Sequence, residues 1–118
     1  MKKSNKITGN IGENLAAEYL QKLGYKIVER NWRYSRNGEI DIIAEDKKTL
    51  VFVEVKTRKS VTFGHPFEAI DAKKFSQVKT IAQTYITQAE KKYTNYRIDA
   101  IGIILSNPPE IQHLKNIF

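Results

Sequence analysis

Residues 39–56, EIDIIAEDKKTLVFVEVK, decide the fold. They hold two apolar runs, Glu39–Ala44 (EIDIIA) and Leu50–Lys56 (LVFVEVK), separated by Glu45, Asp46, Lys47, Lys48 and Thr49. Branched apolar residues at strand spacing, joined by a short polar connection, read as an antiparallel hairpin. Charge inside these runs is the oddity. Asp41 lies between isoleucines, and Glu54 interrupts Leu50–Val55. A carboxylate in such a strand costs several kcal/mol unless it is paired, solvated in a cleft or bound to a cation.

Side chains alternate along a strand, so Phe52, Glu54 and Lys56 share one face. With the hairpin closing around Asp46 and Lys47, Glu39 falls opposite Glu54 and Asp41 opposite Phe52. Asp41 and Glu54 are then diagonal neighbours, with Cβ atoms roughly 7 Å apart. A one-residue slip would put them on opposite faces. Two carboxylates and a lysine converging on one face suit phosphodiester hydrolysis. Hard oxygen ligands that leave waters in place describe a Mg²⁺ site, with Mn²⁺ as its substitute. The metal would polarise a phosphoryl oxygen and activate water, while Lys56 orients that water or stabilises developing charge. The competing reading is an ordinary cross-strand ion pair between Lys56 and a carboxylate.

Outward from the hairpin, Ile11, Leu15, Ala16, Tyr19, Leu20 and Leu23 recur at helical spacing, and Gly24 follows as a cap. This predicts a helix from about Gly12 to Leu23. Tyr25–Arg33 reads as a strand, and Thr57–Pro66 as an exposed basic loop containing His65. Asp71 is a candidate N-cap for a longer helix with an apolar stripe of Phe75, Val78, Ile81, Ala82, Tyr85 and Ile86. Arg97–Leu105 is a further strand, Ser106–Pro109 a turn, and Ile111–Leu114 a short edge strand. The second helix is a crossover, which makes the third and fourth strands parallel after an antiparallel meander. At 118 residues, this predicts one α/β domain, 1–118, with a central mixed sheet flanked by helices.

Composition narrows the function. Twenty Lys and Arg against thirteen Asp and Glu give +7, a balance that suits a polyanion partner. Cysteine is absent, which excludes disulfides, thiol catalysis and Cys-bound zinc. Two isolated histidines, His65 and His113, argue against a His-rich metal site. No uncharged apolar run approaches spanning length, and Ser4–Lys6 follow Met-Lys-Lys where a signal peptide needs an apolar segment. A cytoplasmic protein with no membrane contact is expected.

The motifs GEIDIIA and VFVEVK, the leading Gly9–Glu13 (GxxGE), FGHPFEAI, RIDAIGI and the terminal IQHLKNIF resemble the YraN-like uncharacterised bacterial family over nearly the whole chain. That family looks like a branch of the PD-(D/E)XK nuclease superfamily, near the Holliday junction resolvases. The resemblance implies a restriction-endonuclease-like fold and a Mg²⁺-dependent endonuclease, a hydrolase of structured or branched DNA. Asp41 takes the superfamily aspartate position, Glu54 and Lys56 its E-x-K pair, and the carbonyl of Val55 a further metal ligand. Ile40 stands where many members carry proline, which is not a ligand. Related resolvases place a metal-site glutamate on the first helix, which would make Glu13 a further ligand. Glu13 equally suits an acidic residue near a helix N-terminus.

Arg58 and Lys59 in the basic loop, with Lys73, Lys74 and Lys79 on the second helix, could line a phosphate track. Arg30, Trp32, Arg33, Tyr34 and Arg36 interleave basic and aromatic side chains, a pattern suited to unpaired bases. Trp32 is equally suited to anchor the core. Glu39 is expected to be solvated, and Asp99 to pair structurally with Arg97 or a lysine of the second helix. Beside the nuclease stand two other classes: a nucleic-acid-binding module with little or no turnover, and an interaction scaffold. Cleavage of a symmetrical junction would call for a two-fold dimer.

Overall fold

The first helix, α1, spans Lys2–Lys22 and is closed by Gly24 at φ 94°. Gly24 N–H donates to the Gln21 carbonyl and Tyr25 N–H to the Leu20 carbonyl, a Schellman ending that needs a left-handed residue at this position. The computed structural model describes residues 2–34, 36, 38–61, 64, 66 and 72–117. Asp71, His65 and most of FGHPFEAI lie outside the described residues. α1 begins ten residues before the predicted Gly12. Among the described side chains of these added turns, Ile7 is 57% and Ile11 44% exposed, so a pattern that reports burial does not mark them. Leu23 is exposed as well, and the buried face is centred on Ala16, Ala17 and Leu20.

Five strands follow, β1 (Lys26–Arg33), β2 (Glu39–Asp46), β3 (Thr49–Arg58), β4 (Asn95–Ile104) and β5 (Glu110–Leu114), with α2 (Ala72–Gln88) between β3 and β4. They form one mixed sheet in the order β1-β2-β3-β4-β5. β3 and β4 are parallel and the other neighbours antiparallel. This is an α/β architecture compatible with the restriction-endonuclease-like fold. α1 packs on one face, where Ala16, Ala17 and Leu20 meet Ile42, Val51, Val53, Val55 and Ile101. α2 packs on the other, where Val78, Ile81 and Ala82 meet Ile40, Ile43, Leu50, Phe52 and Ile98. Trp32 belongs to this second core, edge-on to Tyr85, with Tyr34 stacked on its outer side.

The hairpin closes one residue later than the sequence suggested, which moves the pairing by two. Asp46 pairs with Thr49 across Lys47 and Lys48, and Lys47 takes φ 58°, the left-handed conformation a two-residue hairpin turn requires. Ile43, not Asp41, therefore faces Phe52. Because side chains repeat every two residues, this shift keeps the predicted faces over the paired residues Ile42–Asp46. It brings Asp41 level with Glu54 and removes Glu39 from it.

Besides a register shift in β1 between Ile27 and Glu29, the sheet is irregular beside Asp41. Ile42 packs toward α1, yet Ile40 packs toward α2, although both should lie on one face. In β1, Trp32 pairs with Ile40 and also turns toward α2, while Arg30 pairs with Ile42. The β1–β2 ribbon thus turns over at the rung between these pairs, where Asn31 has φ 51°. On this side the pairing of β2 with β3 runs no further than Ile42↔Val53.

Candidate functional site

Asp41 sits where β2 leaves β3. Its Oδ2 accepts the N–H of Val55 at 2.8 Å, so a carboxylate takes the donor that a backbone carbonyl of β2 would otherwise take. Glu54, one residue earlier on β3, is 2% exposed. Its Oε2 lies 3.4 Å from Lys74 Nζ of α2, and Lys56 on the same strand face is close enough for its charge to act on it. The predicted set of Asp41, Glu54, Lys56 and the Val55 backbone is therefore gathered at one point, joined by Lys74.

Electrostatics mark this point. Burial, and next the charge of Glu54, push the Asp41 carboxyl up to about 8, against the Val55 hydrogen bond, which favours its ionised form. Burial also raises Glu54, although Lys74 and Lys56 oppose it. Two desolvated carboxylates side by side do not both ionise readily.

The other buried acids show what a served carboxylate looks like here. Asp99, fully buried, accepts Arg97 Nε at 3.0 Å and the Asn116 N–H at 2.9 Å, and lies 2.7 Å from His113 Nε2. Although burial opposes it, these partners hold Asp99 below the usual carboxylate range. Glu45 accepts Tyr93 Oη at 2.6 Å and Lys91 Nζ at 3.0 Å, and is likewise lowered, by Tyr93 first. Glu54, like the half-buried Asp41 beside it, is raised instead. Its Oε1 is buried with no hydrogen-bond partner among the described residues. A buried carboxylate oxygen without a partner among the described residues, on an acid whose charge acts on a second carboxylate, fits a cation ligand, because a cation offsets both the repulsion and the desolvation.

Asp41, Glu54 and the Val55 carbonyl are hard oxygen donors of the kind Mg²⁺ or Mn²⁺ takes. Glu13 stands further out. Its Oε1 accepts Asn31 Nδ2 at 2.8 Å, and its charge acts on both Asp41 and Glu54. Among the described residues, no three Asp, Glu, His or Cys side chains form a metal-holding group. The dipole reading of Glu13 fails, since α1 starts at Lys2 and leaves Glu13 far beyond the first turn. Gly12 explains how α1 comes so close. A Cβ there would overlap Oγ1 of Thr57 on β3 and lie 2.7 Å from its Cβ, so glycine lets the helix rest on the strand next to Glu13.

The other predicted residues divide. Arg33 pairs with Glu39 at 3.3 Å across β1 and β2, and both are accounted for there. Asp99 takes the structural role expected of it, with Arg97, and with His113 in addition. Arg36 lines a hollow of ≈ 220 Å³ with Ser76, Gln77 and Thr80 of α2. Lys73 is exposed at the start of α2; Thr57 and Arg58 belong to β3, paired with Ile103 and Ile104 of β4 rather than opening the predicted loop, and Lys59 follows the strand. Sequence reasoning missed Asn31 and assigned Lys74 to a phosphate track without its partner Glu54. An Asn inside a strand, where its propensity is low, was the available signal for the first. Nothing local connected Lys74 with a residue twenty positions earlier.

Comparison with known proteins agrees with the motif resemblance. The family described as "Uncharacterised protein family UPF0102" matches residues 12–103. A UPF0102 protein of Caldanaerobacter subterraneus subsp. tengcongensis is 48% identical over 124 residues, covering 100% of both chains. One of Persephonella marina is 47% identical over 112 residues, covering 95% of this chain and 93% of its own. A third, of Geobacter sulfurreducens, is 46% identical over 116 residues, covering 97% and 90%. The chain belongs to the uncharacterised family UPF0102.

Proposed function

We propose that this UPF0102 member is a Mg²⁺-dependent nuclease of the PD-(D/E)XK type, hydrolysing phosphodiesters in structured or branched DNA. The observation that carries the reading is the Asp41–Glu54 pair: adjacent, desolvated, both raised in pKa, with Glu54 Oε1 lacking a partner among the described residues. Asp41, Glu54 and the Val55 carbonyl would hold the cation. A bound divalent ion supplies Lewis acidity toward a phosphoryl oxygen and lowers the pKa of water.

The remaining work falls to the chain's own groups. Val55 N–H fixes the Asp41 carboxylate in one orientation. The Lys56 ammonium, two residues beyond Glu54 on the same strand face, stabilises negative charge that develops on the phosphoryl oxygens. Hydrolysis adds water across one P–O ester bond and leaves a phosphate monoester and a hydroxyl. Arg36 against α2, Lys73 at its start, Arg58 at the end of β3 and Lys59 just after it would supply positive charge for a phosphate backbone. That supports backbone contact with a polyanion, as does the net charge of +7.

A second reading, a nucleic-acid-binding module with little turnover, draws on the Lys74–Glu54 ion pair, which already gives Glu54 one cationic partner. The two separate when pure protein is incubated with duplex, flap and four-way-junction DNA in Mg²⁺, Mn²⁺ or EDTA. The nuclease reading expects metal-dependent cleavage that is lost in Asp41→Ala and Lys56→Ala. Salt-sensitive binding without cleavage, unchanged in Glu54→Ala, supports the binding module. Failure to bind any of these at low salt overturns both.

A further inference from the structure

Asn31 lies inside β1, between the paired rungs Arg30↔Ile42 and Trp32↔Ile40, with φ 51°. Left-handed backbone is unfavourable for a residue with a Cβ, and Asn is among the few types that adopt it. Strain of this kind inside a strand persists where the surroundings require it, and two features here do.

The first is backbone. The ribbon turns over at this rung, so Ile42 and Ile40 enter opposite cores. Asp41, on the same rung, is turned to the Val55 N–H. The second is the side chain. Asn31 Nδ2 donates to Glu13 Oε1 at 2.8 Å, tying α1 to β1 next to the close contact between Gly12 and Thr57. Glu13 is the acid whose charge reaches both Asp41 and Glu54. One residue thus bears on two elements that converge on the same pair.

We infer that Asn31 is a positioning residue of the cation site: its left-handed backbone turns Asp41 out of the ladder toward Val55, and its amide holds Glu13 beside Asp41 and Glu54. The inference rests on the cation-site reading of the proposed function. Groups that orient ligands typically change metal affinity about 10–100-fold when removed, which sets the size of the effect.

The test is Mn²⁺ binding by titration calorimetry, with thermal unfolding of the metal-free protein as a second readout. The proteins are wild type, Asn31→Gly, Asn31→Asp, Glu13→Gln and the Asn31→Gly/Glu13→Gln double variant. Glycine keeps the left-handed backbone and removes only the amide. Its metal-free Tm should stay close to wild type while Mn²⁺ affinity falls about tenfold or more. Aspartate tolerates the same backbone but cannot donate to Glu13, and should weaken binding similarly. The double variant should bind no more than about twofold more weakly than Glu13→Gln, because the amide acts through Glu13. Wild-type affinity in Asn31→Gly, or simple additivity in the double variant, overturns the inference while leaving the cation site intact. A folded wild type that binds no Mn²⁺ overturns the cation-site reading itself, and this inference with it.

Discussion

Replacing Asp41 by Asn should stabilise the metal-free protein at alkaline pH and remove most of its loss of stability between pH 6 and 9. The Asp41 carboxyl stands at about 8 in the fold against an ordinary 3.8. Between those values the folded state keeps a proton that the unfolded chain has released. The proton-linked stability is fully present below 3.8 and is lost as pH rises through about 8. Its slope is about 1.4 kcal/mol per pH unit for one proton. Carried across the whole interval, that slope would amount to about 6 kcal/mol, comparable with the low end of a typical domain's stability of about 5–15 kcal/mol. Lys74 and Lys56 offset part of it, and buried sites behave as if more polarisable than a dry interior. A gain of about 2 kcal/mol for Asp41→Asn at pH 9 follows. The Asn side chain can still accept the Val55 N–H, so the hydrogen bond is largely kept. At about 2.1 cal/mol/K per residue, 2 kcal/mol corresponds to roughly 8 °C in Tm for a chain of this length. Thermal unfolding from pH 5 to 9 in EDTA, for wild type and variant, reads it directly. A variant less stable than wild type at pH 9, or one whose Tm falls in parallel with wild type, would show that Asp41 does not carry this proton.

Lys74→Met removes the cation already seated on Glu54. It should lower metal-free stability by about 1–3 kcal/mol yet tighten Mn²⁺ binding several-fold in calorimetry, since the ion no longer competes with the ammonium. Gly12→Ala forces a methyl into Thr57 Oγ1 and should cost about 3 kcal/mol or more in urea unfolding. Thr57→Ala should restore only part of this, because the Thr57 Cβ would remain at 2.7 Å. Asp99→Ala takes the buried carboxylate from Arg97 and His113, leaving Arg97 with Asp46 and Tyr25 and His113 with Tyr19, and should cost about 3 kcal/mol, with Mn²⁺ affinity unchanged in whatever fraction stays folded. Asp99 is depressed in the fold, so its contribution is present above the ordinary carboxylate pKa and disappears as pH falls through the depressed value. Asp99→Asn should therefore flatten the acid limb of the stability curve, as read by urea unfolding between pH 2 and 5.

The hairpin, the crossover and the sharing of a face by Glu54 and Lys56 follow from the sequence, because apolar periodicity reports which side of an element is buried and a period of two survives the observed two-residue shift in register. The same logic fails where burial does not drive conformation. The first ten residues of α1 are helical, yet Ile7 and Ile11 among them are exposed, and nothing in the period marks this stretch. Within EIDII, alternation suggests a regular strand, yet the ribbon turns over at Asp41, since Asn31 on another strand takes a left-handed backbone. The cationic partner of Glu54 comes from α2, and the acid beside the pair from α1. The residue types for the site were written in two short motifs. Which of them are desolvated, which oxygen lacks a partner and which distant side chains face them depend on how the two helices pack against the sheet, and no stretch of local sequence contains that packing.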